Sequence, residues 1–357
     1  MKILHIIESM EIGGAQRLLK DLIPIQNKSN KVGLLILRSV GSSFEKAVFD
    51  SGIKVYNINS SNIYSPVNIL RIRKVLKDWD IVHVHLFPAL YWTALASTGL
   101  DKVLIYTEHS THNKRRTRPY FRPIEKWVYS RYEKIICISD ETKDNLGKWL
   151  RIENGDRLVT INNGVDLSKF DSAGIQPENI ITMVSRFAPA KDHATLIKAM
   201  KWVDPDYRLV LAGDGETRAE CEKLAEAEGL IDRIDFLGTR SDIAEIIKRS
   251  YIGVQSSKWE GFGLTAVEFM AAGKPVVCSD VPGLSNVVGN AGLHFKVGDS
   301  GHLAKLINYL IQHKDSYSDY SKRGYERSKI FSIRHMNDKY SDLYNTVIQN
   351  HHHDHKR

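Results

Sequence analysis

Ser256-Ser257-Lys258-Trp259-Glu260-Gly261-Phe262-Gly263-Leu264-Thr265-Ala266-Val267-Glu268-Phe269-Met270-Ala271-Ala272-Gly273-Lys274-Pro275-Val276-Val277-Cys278-Ser279-Asp280 reads as a loop, a helix and a strand. Gly261 and Gly263 let the backbone turn tightly and come close to a partner. Residues 264–272 carry a short helix, which Gly273 ends and Pro275 cannot continue. Residues 274–279 form a buried β-type run. Backbone N–H groups at a helix start preceded by glycines make an anion site. Glu260 lies just before that site and Glu268 on the helix beyond it, so one carboxylate reaches each side of a bound anion. Carboxylates accept hydrogen bonds from hydroxyls, which suits hydroxyl-rich rings flanking a diphosphate. Spacing alone leaves a plain alternative open, since the helix dipole favours acids near a helix start in any case.

Outward from this stretch the same alternation fills the chain. Upstream in the second half, strands are expected at 180–184, 207–212, 234–236 and 252–255. The first ends in the loop Ser185-Arg186-Phe187-Ala188-Pro189-Ala190-Lys191-Asp192, the second in Gly213-Asp214-Gly215. The first half begins with a strand at 2–7, the turn Gly13-Gly14-Ala15 and a helix over 15–22. That turn lacks the Gly-x-Gly-x-x-Gly spacing of dinucleotide sites. Further strands are expected at 32–37, 53–58, 80–85, 103–107, 134–138 and 158–161, the fifth of the half delivering His109. His83 and His85 read as strand residues, one inward and one outward, without a catalytic role. Residues 171–179 are polar and read as a linker. Ser300 is expected to cap a helix reaching 313, and residues 315–350 to be helical. The closing His351-His352-His353-Asp354-His355 is expected to lie outside the fold and receives no role. Two such alternations predict two α/β domains with parallel sheets, whose ligands sit at the carboxyl ends of strands, with a cleft between the domains as the expected site.

Length supports this division, because 357 residues exceed one ordinary core. No apolar run approaches a membrane span, and the opening residues read as a strand rather than a signal peptide. Cys137, Cys221 and Cys278 show neither metal-ligand spacing nor a disulfide framework, so small buried thiols in a reducing cytoplasm are expected. The net charge of +8 is uneven. Residues 1–170 hold 26 basic and 17 acidic residues, and the remainder holds 24 and 25. The excess is densest between Lys114 and Lys134, where bases alternate with aromatics. Such a segment suits an anionic membrane surface or lipid-linked substrate, or a solvated face; no nucleic-acid role is assigned.

Arg186 and Lys191 could neutralise a diphosphate, the former by its planar fork and the latter as a point charge. With Gly213-Asp214-Gly215, Phe236-Leu237-Gly238 and above all Glu260-Gly261-Phe262-Gly263-Leu264-Thr265-Ala266-Val267-Glu268, they resemble the donor-site signature of family 4 glycosyltransferases. Gly13-Gly14-Ala15, His109 and Asn163-Gly164-Val165-Asp166 extend the resemblance over nearly the whole chain, more tightly after residue 160. It implies the GT-B fold, two Rossmann-like parallel-sheet domains facing across a cleft. Residues 1–170 would bind acceptor and 171–332 the nucleotide-sugar donor, with a C-terminal helix near 333–350 packing back on the first domain.

The resemblance also implies roles. Arg186 and Lys191 would hold the diphosphate with backbone amides near Phe262, Gly263, Leu264 and Thr265, beside Gly213. Glu268 would meet the ribose, Glu260 the hydroxyls of the transferred sugar, Gly14 would let its loop approach the diphosphate, and His109 would face the sugar. Transfer would be retaining and metal-independent, without a cofactor. The donor would be a UDP-sugar in the first instance. The acceptor would be a lipid-linked, polysaccharide or other glycan, in surface glycan biosynthesis. The expected location is the cytoplasm, with a peripheral position on the inner face of a membrane left open. A nucleotide-sugar 2-epimerase of the same fold, or a non-catalytic nucleotide-sugar-binding partner, is the competing reading.

Overall fold

The computed structural model describes residues 1–11, 13–111, 113–152 and 156–354. Contacts divide the chain into Met1–Gly164 with Ile333–Arg357, and Val165–Ser332. The polar stretch 171–179 lies inside the second unit.

The first unit is built on seven parallel strands: β1 (Lys2–Ile7), β2 (Lys31–Ile36), β3 (Lys54–Asn57), β4 (Ile81–His85), β5 (Val103–Glu108), β6 (Lys134–Cys137) and β7 (Leu158–Thr160). They lie in the order β3-β2-β1-β4-β5-β6-β7. A parallel sheet is covered on both faces, so its strands read as apolar runs. Even-numbered residues of the central strands, including Leu4, Ile6, Val82, Val84, Leu104 and Tyr106, enter one core layer. Odd-numbered Ile3, Ile81, Val103 and Ile105 enter another, closed by Leu18 and Leu22 of the helix Gly14–Gln26 and by Met336, Tyr340 and Tyr344 of the helix Ile333–Asp354. Within the first unit, Gly164 lets the chain pass Ile333, where a Cβ would lie 2.6 Å from the Ile333 Cα.

The second unit repeats the plan with β8 (Ile180–Val184), β9 (Arg208–Ala212), β10 (Ile234–Gly238), β11 (Ile252–Gln255), β12 (Val276–Ser279) and β13 (Leu293–Phe295). Their order, β10-β9-β8-β11-β12-β13, is again entirely parallel. Every strand therefore releases its loop at the same edge of its sheet, where ligands of such sheets bind. The helix Leu264–Ala271 lies directly on β11 because Gly253 has no side chain; a Cβ there would sit 2.3 Å from the Phe269 ring.

Two expectations change. Asp299, rather than Ser300, caps the helix Ser300–Gln312, accepting from the His302 N–H at 2.8 Å, because a carboxylate one residue earlier reaches that orphan donor. The histidine-rich stretch starts inside the fold: the last helix runs to Asp354, and His351 meets Asp101 at 2.6 Å and Glu133 at 3.2 Å. The three cysteines are buried and free. Gly253→Ala should lower stability by about 1–3 kcal/mol through overpacking against Phe269. Urea unfolding measures it, and an unchanged midpoint would mean that the helix slides freely on its strand.

Candidate functional site

Three loops leave the edge of the second sheet and are laced together by their backbones. The Ser185 N–H donates to Ala212 O at 3.0 Å, the Phe187 N–H to Asp214 O at 3.0 Å, and the Gly213 N–H to Gly238 O at 2.8 Å. Gly213 (φ 144°) and Gly215 (φ 152°) are in a region that other residues rarely adopt. Cβ atoms on them would lie 2.0 Å from Ser185 O and 2.3 Å from Phe187 O. Gly213, expected at the donor, thus presses on the backbone that carries Arg186. Below the loop, the His193 ring stacks on Phe187 with centroids 4.0 Å apart and meets Ser185 Oγ at 2.9 Å. Burial pushes His193 down to about 4, with Lys191 adding to the effect.

The other end of this loop is tied to the segment after β11. Ser256 Oγ donates to the carbonyls of Lys191 (3.1 Å) and Asp192 (3.0 Å), and the Lys258 N–H donates to Ala190 O at 2.8 Å. Lys191 is thereby brought against Glu260, with which it forms an ion pair. The second Glu260 oxygen accepts from the Gly261 N–H at 3.1 Å. Gly283, which the sequence pattern does not single out, lets the helix Pro282–Val288 abut this turn, since a Cβ there would lie 2.0 Å from Glu260 O. Gly263 (φ 93°) then starts the helix Leu264–Ala271, whose first bonds run from Ala266 and Val267 back to Gly263 O. Leu264 and Thr265 precede those donors, at the point where helix N–H groups lack intrahelical acceptors.

The expected residues differ in what they present. Arg186 is exposed, and among the described residues no ion pair or hydrogen bond occupies its guanidinium. Leu264 and Thr265 are half-buried, while the Phe262 ring is buried edge-on against Phe331, 5.5 Å between centroids. Phe262 can therefore serve an anion through its backbone alone. Glu268 is 1 % exposed. In the first unit, Gly14 is exposed at the start of its helix, with nothing within 4 Å of a Cβ position.

His109 follows β5 and is half-buried. Its Nε2 lies 3.1 Å from His85 Nδ1, His85 Nε2 lies 3.1 Å from His5 Nδ1, and His5 Nε2 lies 2.7 Å from Gln26 Oε1. His83 is bound separately, to Tyr344 Oη at 2.6 Å and Thr107 Oγ1 at 2.7 Å. The expectation that His83 and His85 face opposite ways is wrong. Residues two apart on a strand share a face, and His5 pairs with His83 on the neighbouring strand. Burial lowers His5 and His109 to about 4 and takes His83 and His85 well below their ordinary value.

The basic segment is partly consumed by the fold. Arg115 pairs with Glu125 at 3.0 Å and stacks over Phe87, Arg116 pairs with Glu108, and Arg122 covers Trp149. Arg118, Lys126 and Arg131 remain exposed, beside Tyr120 (63 %), Ile124 (51 %) and Trp127 (45 %). Among the described residues, no helix is long and apolar enough to cross a membrane.

The buried imidazoles bear on stability. They are neutral in the fold and ordinary when unfolded, so between about pH 6.5 and 4 the unfolded chain binds more protons. Stability should rise with pH across that window and be lost as pH falls through it. Urea midpoints at pH 7 and pH 5 measure this, and His5→Gln should flatten the slope; an equal slope would place the acid sensitivity elsewhere.

The family described as Glycosyl transferases group 1 matches residues 166–327, and Glycosyltransferase Family 4 matches residues 12–169. An uncharacterized glycosyltransferase of Methanocaldococcus jannaschii is 31 % identical over 263 residues, 71 % of each chain. The UDP-Gal:alpha-D-GlcNAc-diphosphoundecaprenol alpha-1,3-galactosyltransferase of Escherichia coli is 26 % identical over 98 % of each chain. Among solved structures, Anabaena Alr3699/HepE in complex with UDP and glucose superposes with a TM-score of 0.86. It is 21 % identical and covers 97 % of this chain and 100 % of its own.

Proposed function

The chain belongs to the family 4 glycosyltransferases, with two Rossmann-like parallel-sheet domains of GT-B type, and from that premise we propose that it is a retaining enzyme that moves a sugar from a UDP-sugar to a lipid-linked or other glycan acceptor. The observation that carries this reading is Lys191 held against Glu260 ahead of the helix start at Leu264. A nucleotide-sugar offers a diphosphate next to a hydroxyl-bearing ring, and here a cation and a carboxylate stand side by side to receive them. The uridine nucleotide is supported by the UDP bound in the Anabaena structure and by the donor named for the E. coli relative. The latter's name, with its diphosphoundecaprenol acceptor, also supports a lipid-linked acceptor, and we propose a role in surface glycan biosynthesis.

In this mechanism the bond between the anomeric carbon and the β-phosphate oxygen breaks. The acceptor oxygen bonds to that carbon on the same face, and its proton passes to the departing diphosphate. Arg186, Lys191 and the N–H groups near Phe262, Gly263, Leu264 and Thr265 stabilise the charge on that diphosphate. Because cations and backbone dipoles supply this stabilisation, no metal is required of the reaction. Glu260 binds sugar hydroxyls, Glu268 the ribose, and Gly14 gives the diphosphate backbone access. Neutral His109 meets the sugar through a lone pair, which suits the positive charge developing there better than an imidazolium would.

A thermal-shift panel of UDP-glucose, UDP-galactose, UDP-N-acetylglucosamine and GDP-mannose tests the donor. At a hundredfold its dissociation constant, a bound donor stabilises by about 2.7 kcal/mol. A UDP-sugar should raise Tm in the native chain and in His109→Ala, but not in Lys191→Ala or Arg186→Ala, and EDTA should leave the shift intact. No shift with any of the four, or full shifts in both cation variants, would defeat the proposal. Nucleotide release that requires acceptor marks a transferase; an epimeric sugar product formed without acceptor marks an epimerase, and the absence of both marks a binding partner.

We place the membrane contact on the exposed face of the helix Arg122–Ser130. Ile124 and Trp127 stand one turn apart there, with Arg131 following, while Glu125, Val128 and Tyr129 point inward. Apolar side chains bordered by bases suit an anionic lipid surface. Co-sedimentation with anionic vesicles should fall on replacing Trp127 by Ser together with Arg118, Lys126 and Arg131 by Ala. Equal binding to neutral vesicles, or no loss in the variant, would count against this face.

A further inference from the structure

We propose that His5, His85 and His109 act as one tautomer relay anchored on the Gln26 amide, so that His85 is a positioning residue that fixes His109 as a donor at Nε2 and an acceptor at Nδ1. A neutral imidazole carries one N–H and one lone pair, so each link in the chain dictates the next. The Gln26 carbonyl only accepts, and its Oε1 lies 2.7 Å from His5 Nε2, which must carry the hydrogen. His5 Nδ1 is then a lone pair and takes its bond from His85 Nε2 at 3.1 Å. His85 Nδ1 in turn accepts from His109 Nε2 at 3.1 Å. That leaves the lone pair of His109 on Nδ1, which meets no partner among the described residues.

Two features protect this order. His5, His85 and Gln26 are at most 1 % exposed, so water does not scramble the tautomers. A proton added to either inner ring would set one N–H against another. His83 shares the layer without joining the chain, since Tyr344 and Thr107 occupy its nitrogens and its ring packs 4.3 Å from that of His85. His5, His83 and His85 lie close enough to hold a metal on distance alone. Their nitrogens are instead spent on one another, on Gln26, on His109 and on the two hydroxyls.

The consequence for the reaction rests on the proposed role of His109. Its Nδ1 can accept from a sugar hydroxyl and cannot donate, so a donor whose facing hydroxyl is absent loses that bond.

The test reads ring nitrogens without substrate, so it stands even if the glycosyl-transfer reading fails. In the full chain labelled with ¹⁵N-histidine, ring ¹H–¹⁵N spectra at pH 7 should show His5, His85 and His109 each as the single Nε2–H tautomer. His109 as Nδ1–H, or as a mixture, overturns the relay. Gln26→Leu removes the anchor and should produce a second, Nδ1–H, signal from His109. His85→Asn, whose amide oxygen can still accept from His109 Nε2–H, should keep the single form, and His85→Phe should not. A single Nε2–H form persisting in both Gln26→Leu and His85→Phe would show that His109 owes its state to something else. Should a variant fail to fold, the native spectra alone decide between one tautomer and a mixture.

Discussion

Carbonyl oxygens of Ser185, Phe187 and Glu260 each lie against an α-carbon that carries no side chain. Those contacts set the positions of the loops that carry Arg186 and Glu260. Gly213 and Gly215 press the loop after β9 onto the one that bears Arg186, and Gly283 presses a helix onto the turn that bears Glu260. Side chains flex by several ångströms, whereas backbones in van der Waals contact do not. Lys191 and Glu260 inherit that stiffness from their loops, which Ser256 ties together. A cradle whose donors are fixed before the ligand arrives loses little order on binding it.

The first unit places polarity where a parallel sheet ordinarily has hydrocarbon. Three histidines, Thr107, Gln26, Tyr340 and Tyr344 share a layer with Ile3, Ile81, Val103 and Ile105. Buried polar groups are tolerated when they bond to one another, and the imidazoles of this set do so at the price of staying uncharged. The basic segment follows a similar rule. Arg115 sits over Phe87 and beside Glu125, and Arg116 pairs with Glu108, leaving other bases to face the solvent.

Most of the architecture was legible because parallel strands advertise themselves as apolar runs followed by glycine or polar turns. The stretch around Glu260 gave loop, helix and strand almost residue by residue. β13 escaped notice because three residues at a sheet edge carry too little pattern. The local geometry of the candidate site was legible where residues are neighbours in the chain, as in Glu260 beside Gly261 and Gly263. It was hidden where residues meet across strands. Gly283 looks like an ordinary helix-start glycine until the turn it touches is known. The link from His109 to His85 and His5 depends on the neighbour relations of β1, β4 and β5, which no linear spacing reports. The correct face of His83 and His85 was nevertheless available from the two-residue period and was misread.

Tyr340 and Tyr344 come from a helix that follows the whole second unit in the chain, yet they seal the histidine layer of the first. On a ribosome, the opening 164 residues emerge without that cover. They must wait, through the synthesis of an entire second sheet, with part of their interior open to water. The second unit is contiguous and can finish first. The order of maturation is therefore the reverse of the order of translation, and nascent chains stalled before residue 340 would be the ones that chaperones find.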